Sequence, residues 1–380
     1  MHILIAPNAF KNSLSASDAA KAIEEGLQQS RLKCTSECFA IGDGGDGTGE
    51  LLIKKCNGKI VNAEVHDPLG RKITASFGLI DNGKTAIIEM ADASGLRLLK
   101  HDELNPLQAS SYGTGELMKL ALDKGVTKII IAMGGSATVD AGCGILSALG
   151  VKFLNKEEQK LLKPESLIEL HKIDVTEIDK RILHCEIVVL CDVDNKLLGD
   201  NGAAAVFGPQ KGATIEAVKK LEVSLAKLAA VTFQQTKKDI SSIKYGGTAG
   251  GAAAGLFAFI NAKPVNGIEY FLQLINFEQA LQRSDIVITG EGCIDKQTLQ
   301  GKGPFGVALR AKEKGIPVIG IAGKVPLKPD KELQKYFDVL IPIGNEPFDT
   351  TTALQLTADN LRRTSMEIGN LFALCYRKLF

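Results

Sequence analysis

The sequence predicts an α/β fold in two domains, and three observations carry that reading. First, 380 residues, at about 150 per domain, make two domains with a substantial core in each. Second, short β-branched runs recur before glycine-rich turns and helical patterns: Ile3 to Ala6, Ile129 to Ala132, Ile187 to Leu190, Ile286 to Thr289, Val318 to Ile321 and Val339 to Ile343. Strands alternating with helices predict a parallel sheet. Third, between about Lys59 and Met90 the pattern becomes consecutive alternating strands joined by Asp67-Pro68-Leu69-Gly70 and Asp81-Asn82-Gly83 turns, which predicts an antiparallel portion.

Taken in order, the first strand is followed by a helix with Ala16, Ala19, Ala20, Ile23 and Leu27 at helical spacing, opened by a capping box from Ser15 to Asp18. Helical spacing recurs at Val218, Leu221, Leu225 and Leu228, and again at Leu354, Ala358, Leu361, Ile368 and Leu371. Ala249 to Ile260 is the longest apolar stretch; with three glycines and far fewer than the ~20 residues of a membrane span, it reads as a buried helix. Lys156 to Glu165 reads as a solvated surface. The strand-helix units at the start and those after residue 285 share one sheet in this reading. The domains are then 1–64 with 285–380, and an inserted 65–284.

Lys and Arg total 45 against 44 Asp and Glu, a net charge of +1 that supplies no field for nucleic acid or an anionic membrane. Any anionic ligand must be held locally. The eight cysteines are scattered, without a C-x-x-C, and read as reduced core residues of a cytoplasmic protein. His184, Cys185 and Cys191 come nearest to a zinc knot but lack a second cluster. The start has no basic segment before its apolar run, so no secretory signal is expected.

Two motifs match common phosphate-binding patterns in the wrong context. Gly78 to Thr85 spells G-x-x-x-x-G-K-T, but the residues after it are β-branched and strand-like, where a phosphate loop needs a helix. Gly42, Gly44 and Gly47 fit G-x-G-x-x-G, yet Asp43 and Asp46 put carboxylates where a pyrophosphate would lie. That loop suits a metal ion or a hydroxyl; the plain alternative is a turn with a capping aspartate.

Chemistry-bearing residues follow several strands, and ligands of parallel sheets bind at strand carboxyl ends. After the first strand come Asn8, Lys11 and Ser13; Lys11 suits an anion. Asp43 to Thr48 follows the second. Gly134-Gly135-Ser136-Ala137-Thr138, continuing through Asp140 to Gly144, has small residues that let amides approach phosphate oxygens; the alternative is a packing turn. Asp192 ends another strand, followed by Asp194, Gln210 and Lys211, and Gly290-Glu291-Gly292-Cys293 with Asp295 and Lys302 ends a further one. Carboxylates, lysines and glycine cradles without a nucleophile-base pair suit phosphoryl transfer, where positioning and charge neutralisation do most of the work. No His has a partner that would make a Ser-His-Asp hydrolase.

Ile5-Ala-Pro-Asn-Ala-Phe-Lys-Asn-Ser-Leu14, Asp43-Gly-Gly-Asp-Gly-Thr48, Gly113-Thr-Gly-Glu-Leu117, Gly134 to Thr138, Asp192 to Gly212, and Thr289-Gly-Glu-Gly292 with Asp295 occur in one order. Together they resemble the bacterial class I glycerate kinase (glycerate 2-kinase) family over essentially the whole chain. The resemblance implies a Rossmann- or flavodoxin-like parallel domain with a mixed-sheet α/β domain inserted in it, and the active site in the cleft between them. It implies ATP- and Mg²⁺-dependent phosphorylation of D-glycerate to 2-phosphoglycerate, although the family name also covers formation of 3-phosphoglycerate. A cytoplasmic protein, free or as a homodimer, is expected. Lys11, Asp43 and Asp192 are the implied catalytic residues, and Ser13, Arg71, Gln210 and Lys211 the substrate contacts, with Arg71 and Lys11 near the glycerate carboxylate or the transferred phosphate. ATP phosphates fall on Gly134, Gly135, Ser136 and Thr138 or on Gly290, Glu291 and Gly292. Asp43, Asp192 and Asp295 are the metal candidates, and which of Asp43 and Asp192 is the base stays open. The chain departs from the family pattern at Asn8, where Asp is usual, and at Tyr112 and Cys293, where Arg is usual. Another small hydroxy acid as acceptor, or a binding protein without catalysis, are the alternatives.

Overall fold

The computed structural model describes residues 1–347 and 349–376. The chain divides into two compact units, Met1–Asp43 with Ile268–Phe380, and Gly44–Gly267. The first unit begins with β1 (His2–Ile5), α1 (Ala16–Gln29) and β2 (Thr35–Cys38). The second unit follows with α2 (Thr48–Lys55), β3 (Lys59–His66), β4 (Lys72–Ile80), β5 (Thr85–Glu89), α3 (Met90–Ser94), α4 (Tyr112–Asp123), β6 (Lys128–Ala132) and α5 (Cys143–Ala148). It continues through β7 (Lys152–Leu154), β8 (Lys172–Asp174), β9 (Glu186–Cys191), α6 (Ala203–Phe207), α7 (Ile215–Thr236), α8 (Ala252–Ile260) and β10 (Lys263–Asn266). The chain then completes the first unit with α9 (Gly267–Leu274), α10 (Phe277–Gln282), β11 (Ile286–Cys293), α11 (Gly303–Glu313), β12 (Val318–Lys324), β13 (Val339–Pro342), α12 (Thr350–Gln355) and α13 (Thr357–Tyr376).

In the first unit the sheet order is β13-β12-β11-β1-β2, with every neighbour parallel. A sheet buried on both faces needs apolar residues at consecutive positions, and Ile3, Leu4, Ile5, Val287, Ile288, Val318 and Ile321 are all fully buried. That is why these strands are continuous apolar runs in the sequence. Ser15 caps α1, its hydroxyl accepting the Asp18 N–H at 3.1 Å. The buried face of α1 includes Gly26, where a β-carbon would lie 2.2 Å from the Arg362 carbonyl oxygen of α13, so only glycine lets these two helices approach so closely.

The second unit is built on a six-stranded mixed sheet, β10-β9-β6-β5-β4-β3. Its first four strands are mutually parallel and β5-β4-β3 antiparallel. A separate antiparallel pair, β7 and β8, stands beside it. The Gly78 to Thr85 motif is a hairpin: β4 ends at Ile80, Asp81–Gly83 make one tight turn, and Thr85 starts β5. The phosphate-loop reading fails because no helix follows. The apolar stretch around Ala252 is α8, whose Ala252, Ala253, Ala254, Gly255 and Leu256 are fully buried. Among the described residues no helix is long and apolar enough to cross a membrane.

The units divide at 43/44 and 267/268, whereas the sequence reading placed the borders at 64/65 and 284/285. Side-chain packing explains the difference. Ile53 of α2 lies against Gly78 of β4, where a β-carbon would be 2.2 Å from its Cγ1, and β3 pairs with β4 along its length. Ile268 of α9 packs on Gly306 of α11, and Phe277 of α10 meets Phe39 edge-on with ring centroids 5.0 Å apart.

Candidate active site

Numbered by itself, the parallel sheet of the first unit runs 2-1-3-4-5, so the strand order reverses between β1 and β11. Ligands of such sheets bind outside the carboxyl ends at that point. The register aligns Ile5 with Cys38 on one side and Ile288 on the other, and the residues just beyond this row are the ones singled out from the sequence. Asp43 follows β2 and is buried; its Oδ2 accepts the Asn8 amide at 2.8 Å and the Gly303 N–H at 3.3 Å. Gly303 opens the eleven-residue α11, so the carboxylate lies on the positive end of a helix. Asn8 is oriented by its own Oδ1, which accepts the Ala9 N–H at 2.8 Å.

Glu291 ends up 7% exposed on β11, accepting the Thr298 hydroxyl at 2.9 Å. Burial pushes its carboxyl up to about 7; the nearby Asp43 charge adds to this, while Lys302, the Thr298 hydrogen bond and Lys11 oppose it. Asp295 folds the following turn, its Oδ1 accepting the Gln297 N–H at 2.8 Å, and the Cys293 Sγ lies 3.6 Å from its Oδ2. Gly290 leaves no room for a side chain against the Ile321 carbonyl, while Gly292 passes the Lys11 backbone nitrogen. The Ser13 hydroxyl donates to the Leu354 carbonyl at 2.5 Å. A buried carboxylate, a second carboxyl that changes charge near neutrality and two lysines can take up a proton and neutralise an anion.

In the second unit, Glu89, Ala132 and Leu190 are aligned across the carboxyl ends of β5, β6 and β9. The loop after β6 is organised by two buried charges. Asp140 accepts the Ser111 hydroxyl at 2.6 Å, the Ser111 N–H at 2.9 Å and the Gly142 and Gly144 N–H groups at 3.0 and 3.1 Å. Lys211 is 2% exposed and donates to the Ser136 hydroxyl at 2.8 Å and the Thr138 carbonyl at 2.7 Å. Burial pulls its ammonium down to about 7, against the favourable charges of Asp140 and Asp192. The Thr138 hydroxyl is buried without a hydrogen-bond partner among the described residues.

Gly134 donates its N–H to the Gly44 carbonyl at 2.9 Å, and a β-carbon there would lie 2.3 Å from the Gly45 Cα. Gly135 has φ +73°, a conformation glycine adopts without strain. Asp192, half-buried, lies just past the end of β9. Gln210 is exposed in the Pro209–Lys211 turn. Arg71 is held by Asp67 at 2.5 Å, Glu103 at 2.7 Å and the Leu98 carbonyl at 3.3 Å. Tyr112 opens α4 and meets His66 edge-on.

Glu89 escaped the sequence reading. It closes a strand read only as part of an antiparallel portion, but β5 also pairs in parallel with β6, which aligns its carboxyl end with those of β6 and β9. Its carboxylate accepts the N–H groups of Gly47, Gly49 and Glu50 at the start of α2. An acid directly preceding a short helical segment was the one local signal.

A sequence model of the glycerate kinase family matches residues 3–373. The glycerate kinase of Haemophilus influenzae is 41% identical over 374 residues, 98% of this chain and 99% of that protein. The glycerate 2-kinase of Escherichia coli K12 is 41% identical over 382 residues, 99% of each. A crystal structure from Salmonella typhimurium LT2, presented as a candidate glycerate kinase 2, superimposes with a TM-score of 0.81 at 39% identity over 99% of both chains. With the family matched from the first strand to the last helix and the same fold in a solved relative, the chain belongs to the glycerate kinase family.

Proposed function

We propose that this protein transfers the γ-phosphoryl group of ATP to D-glycerate and forms 2-phosphoglycerate in the cytoplasm. The supporting observation is the Asp43 site: a buried carboxylate fixed by Asn8 and Gly303, with Glu291, Lys11 and Lys302 acting on one another's charge, at the strand-order reversal of the parallel sheet. The likeness to a glycerate 2-kinase over 99% of both chains favours the 2-position.

In this reading Asp43 accepts the proton of the attacking hydroxyl and its orientation is set by Asn8 before substrate arrives. Lys11 and Lys302 offset negative charge on the substrate carboxylate and the phosphoryl oxygens. The Gly134 to Thr138 loop, held from inside by Lys211, presents backbone to nucleotide phosphates. Mg²⁺ takes oxygen ligands and binds through one or two carboxylates plus phosphate oxygens; Asp43 and Asp295 in the first unit and Asp192 in the second are the carboxylates that would hold it. When bound, the ion neutralises phosphate charge.

Purified protein with ATP, Mg²⁺ and D-glycerate, followed by ADP release and phosphorus NMR, tests this directly. The expected product is 2-phosphoglycerate. A 3-phosphoglycerate signal overturns the position while keeping the kinase, and ADP release that is indifferent to glycerate but rises with another hydroxy acid overturns the acceptor.

A further inference from the structure

We propose that Glu89 is a positioning residue: its carboxyl group occupies the first turn of α2, fixing the Gly44–Glu50 loop and taking the amides that a G-x-G-x-x-G turn otherwise offers to a phosphate. Its effect on turnover rests on the kinase reading above; its effect on the loop does not.

Glu89 is 6% exposed, and one oxygen accepts the Gly47 N–H while the other accepts those of Gly49 and Glu50 at 3.1 and 3.3 Å. A β-carbon on Gly49 would lie 2.8 Å from that second oxygen, so glycine is what lets the backbone reach it. The opposite side of the same loop is clamped by Gly134, through its bond to the Gly44 carbonyl and its contact with Gly45. The segment that follows Glu89 holds the Gly134 loop as well: Leu96 donates to the Gly135 carbonyl and Ala137 to the Ser94 carbonyl, both at 2.8 Å. Arg97 then ties Asp46 of the first loop, at 2.9 Å, to Asp92. One stretch, Glu89 to Arg97, therefore sets two glycine loops together.

The charged groups facing Glu89 are Asp46 and Asp92, both carboxylates, with Arg97 on each. Burial, a hydrogen bond with Asp46 and the charges of Asp46 and Asp92 push its carboxyl up to about 8, against the Gly47 amide. An exposed surface acid does not occupy such a place; this one is retained against desolvation by three backbone donors and a helix end.

The test compares the full-length wild type with Glu89→Ala and Glu89→Gln. In Glu89→Ala the emptied helix end accepts a small carboxylate, so formate, with chloride as control, raises the Tm of the variant and not of the wild type. With the kinase assay, kcat of Glu89→Ala falls by about tenfold or more while KM for glycerate moves less than about threefold, and formate restores part of the kcat. Glu89→Gln keeps one acceptor oxygen and sets an NH₂ against the backbone N–H on the other side, so exchange of either the Gly47 or the Gly49 amide with deuterium speeds up by about tenfold or more. Should Glu89→Ala fail to fold, that exchange measurement decides alone. Wild-type kcat in either folded variant, no response of Glu89→Ala to formate, or unchanged exchange in Glu89→Gln overturns the proposal. A wild type without glycerate-dependent ADP release overturns the kinase reading, and the formate-dependent Tm still tests the carboxyl group's hold on the helix end.

Discussion

Glu291 in the first unit and Lys211 in the second are both almost fully buried, and burial pushes the first up to about 7 and the second down to about 7. Loss of hydration disfavours the charged form of each, raising the acid and lowering the base. Their partners differ. Glu291 accepts one hydroxyl, from Thr298, and is acted on by the charges of Lys11, Lys302 and Asp43. Lys211 gives its hydrogens to a hydroxyl and a carbonyl of the loop it supports, with Asp140 and Asp192 keeping it from losing its proton altogether. The first arrangement sets cationic charge around a buried carboxyl group at the sheet end. The second directs it inward, to a loop.

The largest expected effect falls on the first arrangement. Asp43→Asn keeps the shape of the side chain but removes the charge that Asn8 and Gly303 hold, so turnover drops by about 10³-fold while thermal unfolding changes little. ADP release under saturating glycerate measures it. Turnover within about threefold of wild type would remove Asp43 from the chemistry and erase the functional contrast between the two arrangements.

Next in size is the effect of pH on stability, where the two groups separate by sign. Glu291 binds a proton more tightly folded than unfolded, so its contribution is complete below its ordinary pKa near 4.5 and is lost as pH rises to about 7. Lys211 binds its proton less tightly folded than unfolded. Its contribution is complete above the ordinary pKa of 10.5 and is lost as pH falls to about 7. In denaturant titrations without metal, the stability advantage of wild type over Glu291→Gln shrinks between pH 4.5 and 7. Its advantage over Lys211→Met grows between pH 7 and 10.5. Each change is on the order of a few kcal/mol. Parallel pH profiles for wild type and both variants would show that burial does not set these two groups apart. At any pH, Lys211→Met also leaves the Ser136 hydroxyl and Thr138 carbonyl without their donor, at a cost of about 1–3 kcal/mol each.

How much of this was legible in the sequence follows the range of the interactions. Strands buried on both faces are apolar at consecutive positions, so β1, β6, β9, β11 and β12 stand out locally; the edge strand β13 is half-exposed but keeps its own apolar run, and the β3-β4-β5 turns carry their own Asp and Gly. Lys11, Asp192 and the Gly134 loop were singled out because each follows such a strand, whereas Asp43 follows the polar, partly exposed β2 and was singled out by the glycines around it. The unit borders were not, since they depend on where Ile53, Ile268 and Phe277 pack and no change of composition marks them. Glu89 was missed for the same reason: its role depends on β5 lying parallel to β6, about forty residues on, and on a loop about forty residues back. Arg71 is legible as a cation but not as one already paired with Asp67 and Glu103. The alternation that found its hairpin says nothing of those partners.

The smallest expected effect is a control on all the others. Ser15 caps α1 in the first unit and Thr214 caps α7 in the second, their hydroxyls accepting the Asp18 and Ala217 N–H groups at 3.1 and 3.2 Å. Each satisfies one amide that the helix cannot, so Ser15→Ala and Thr214→Ala each cost about 1 kcal/mol. Ser15 also donates to the Asp18 carboxylate at 2.6 Å, which holds a negative charge on the first turn and places its loss at the upper end of that range. Neither hydroxyl belongs to the groups gathered at the strand carboxyl ends. Denaturant midpoints are therefore expected to fall in both variants while kcat stays within about twofold of wild type. A cap variant that lost turnover in proportion to stability would mean that the assay reads partial unfolding. The loss in Asp43→Asn would then have to be re-measured at matched stability before it counted as chemistry, whereas unchanged kcat in both caps leaves the contrast between the two arrangements as a statement about the site itself.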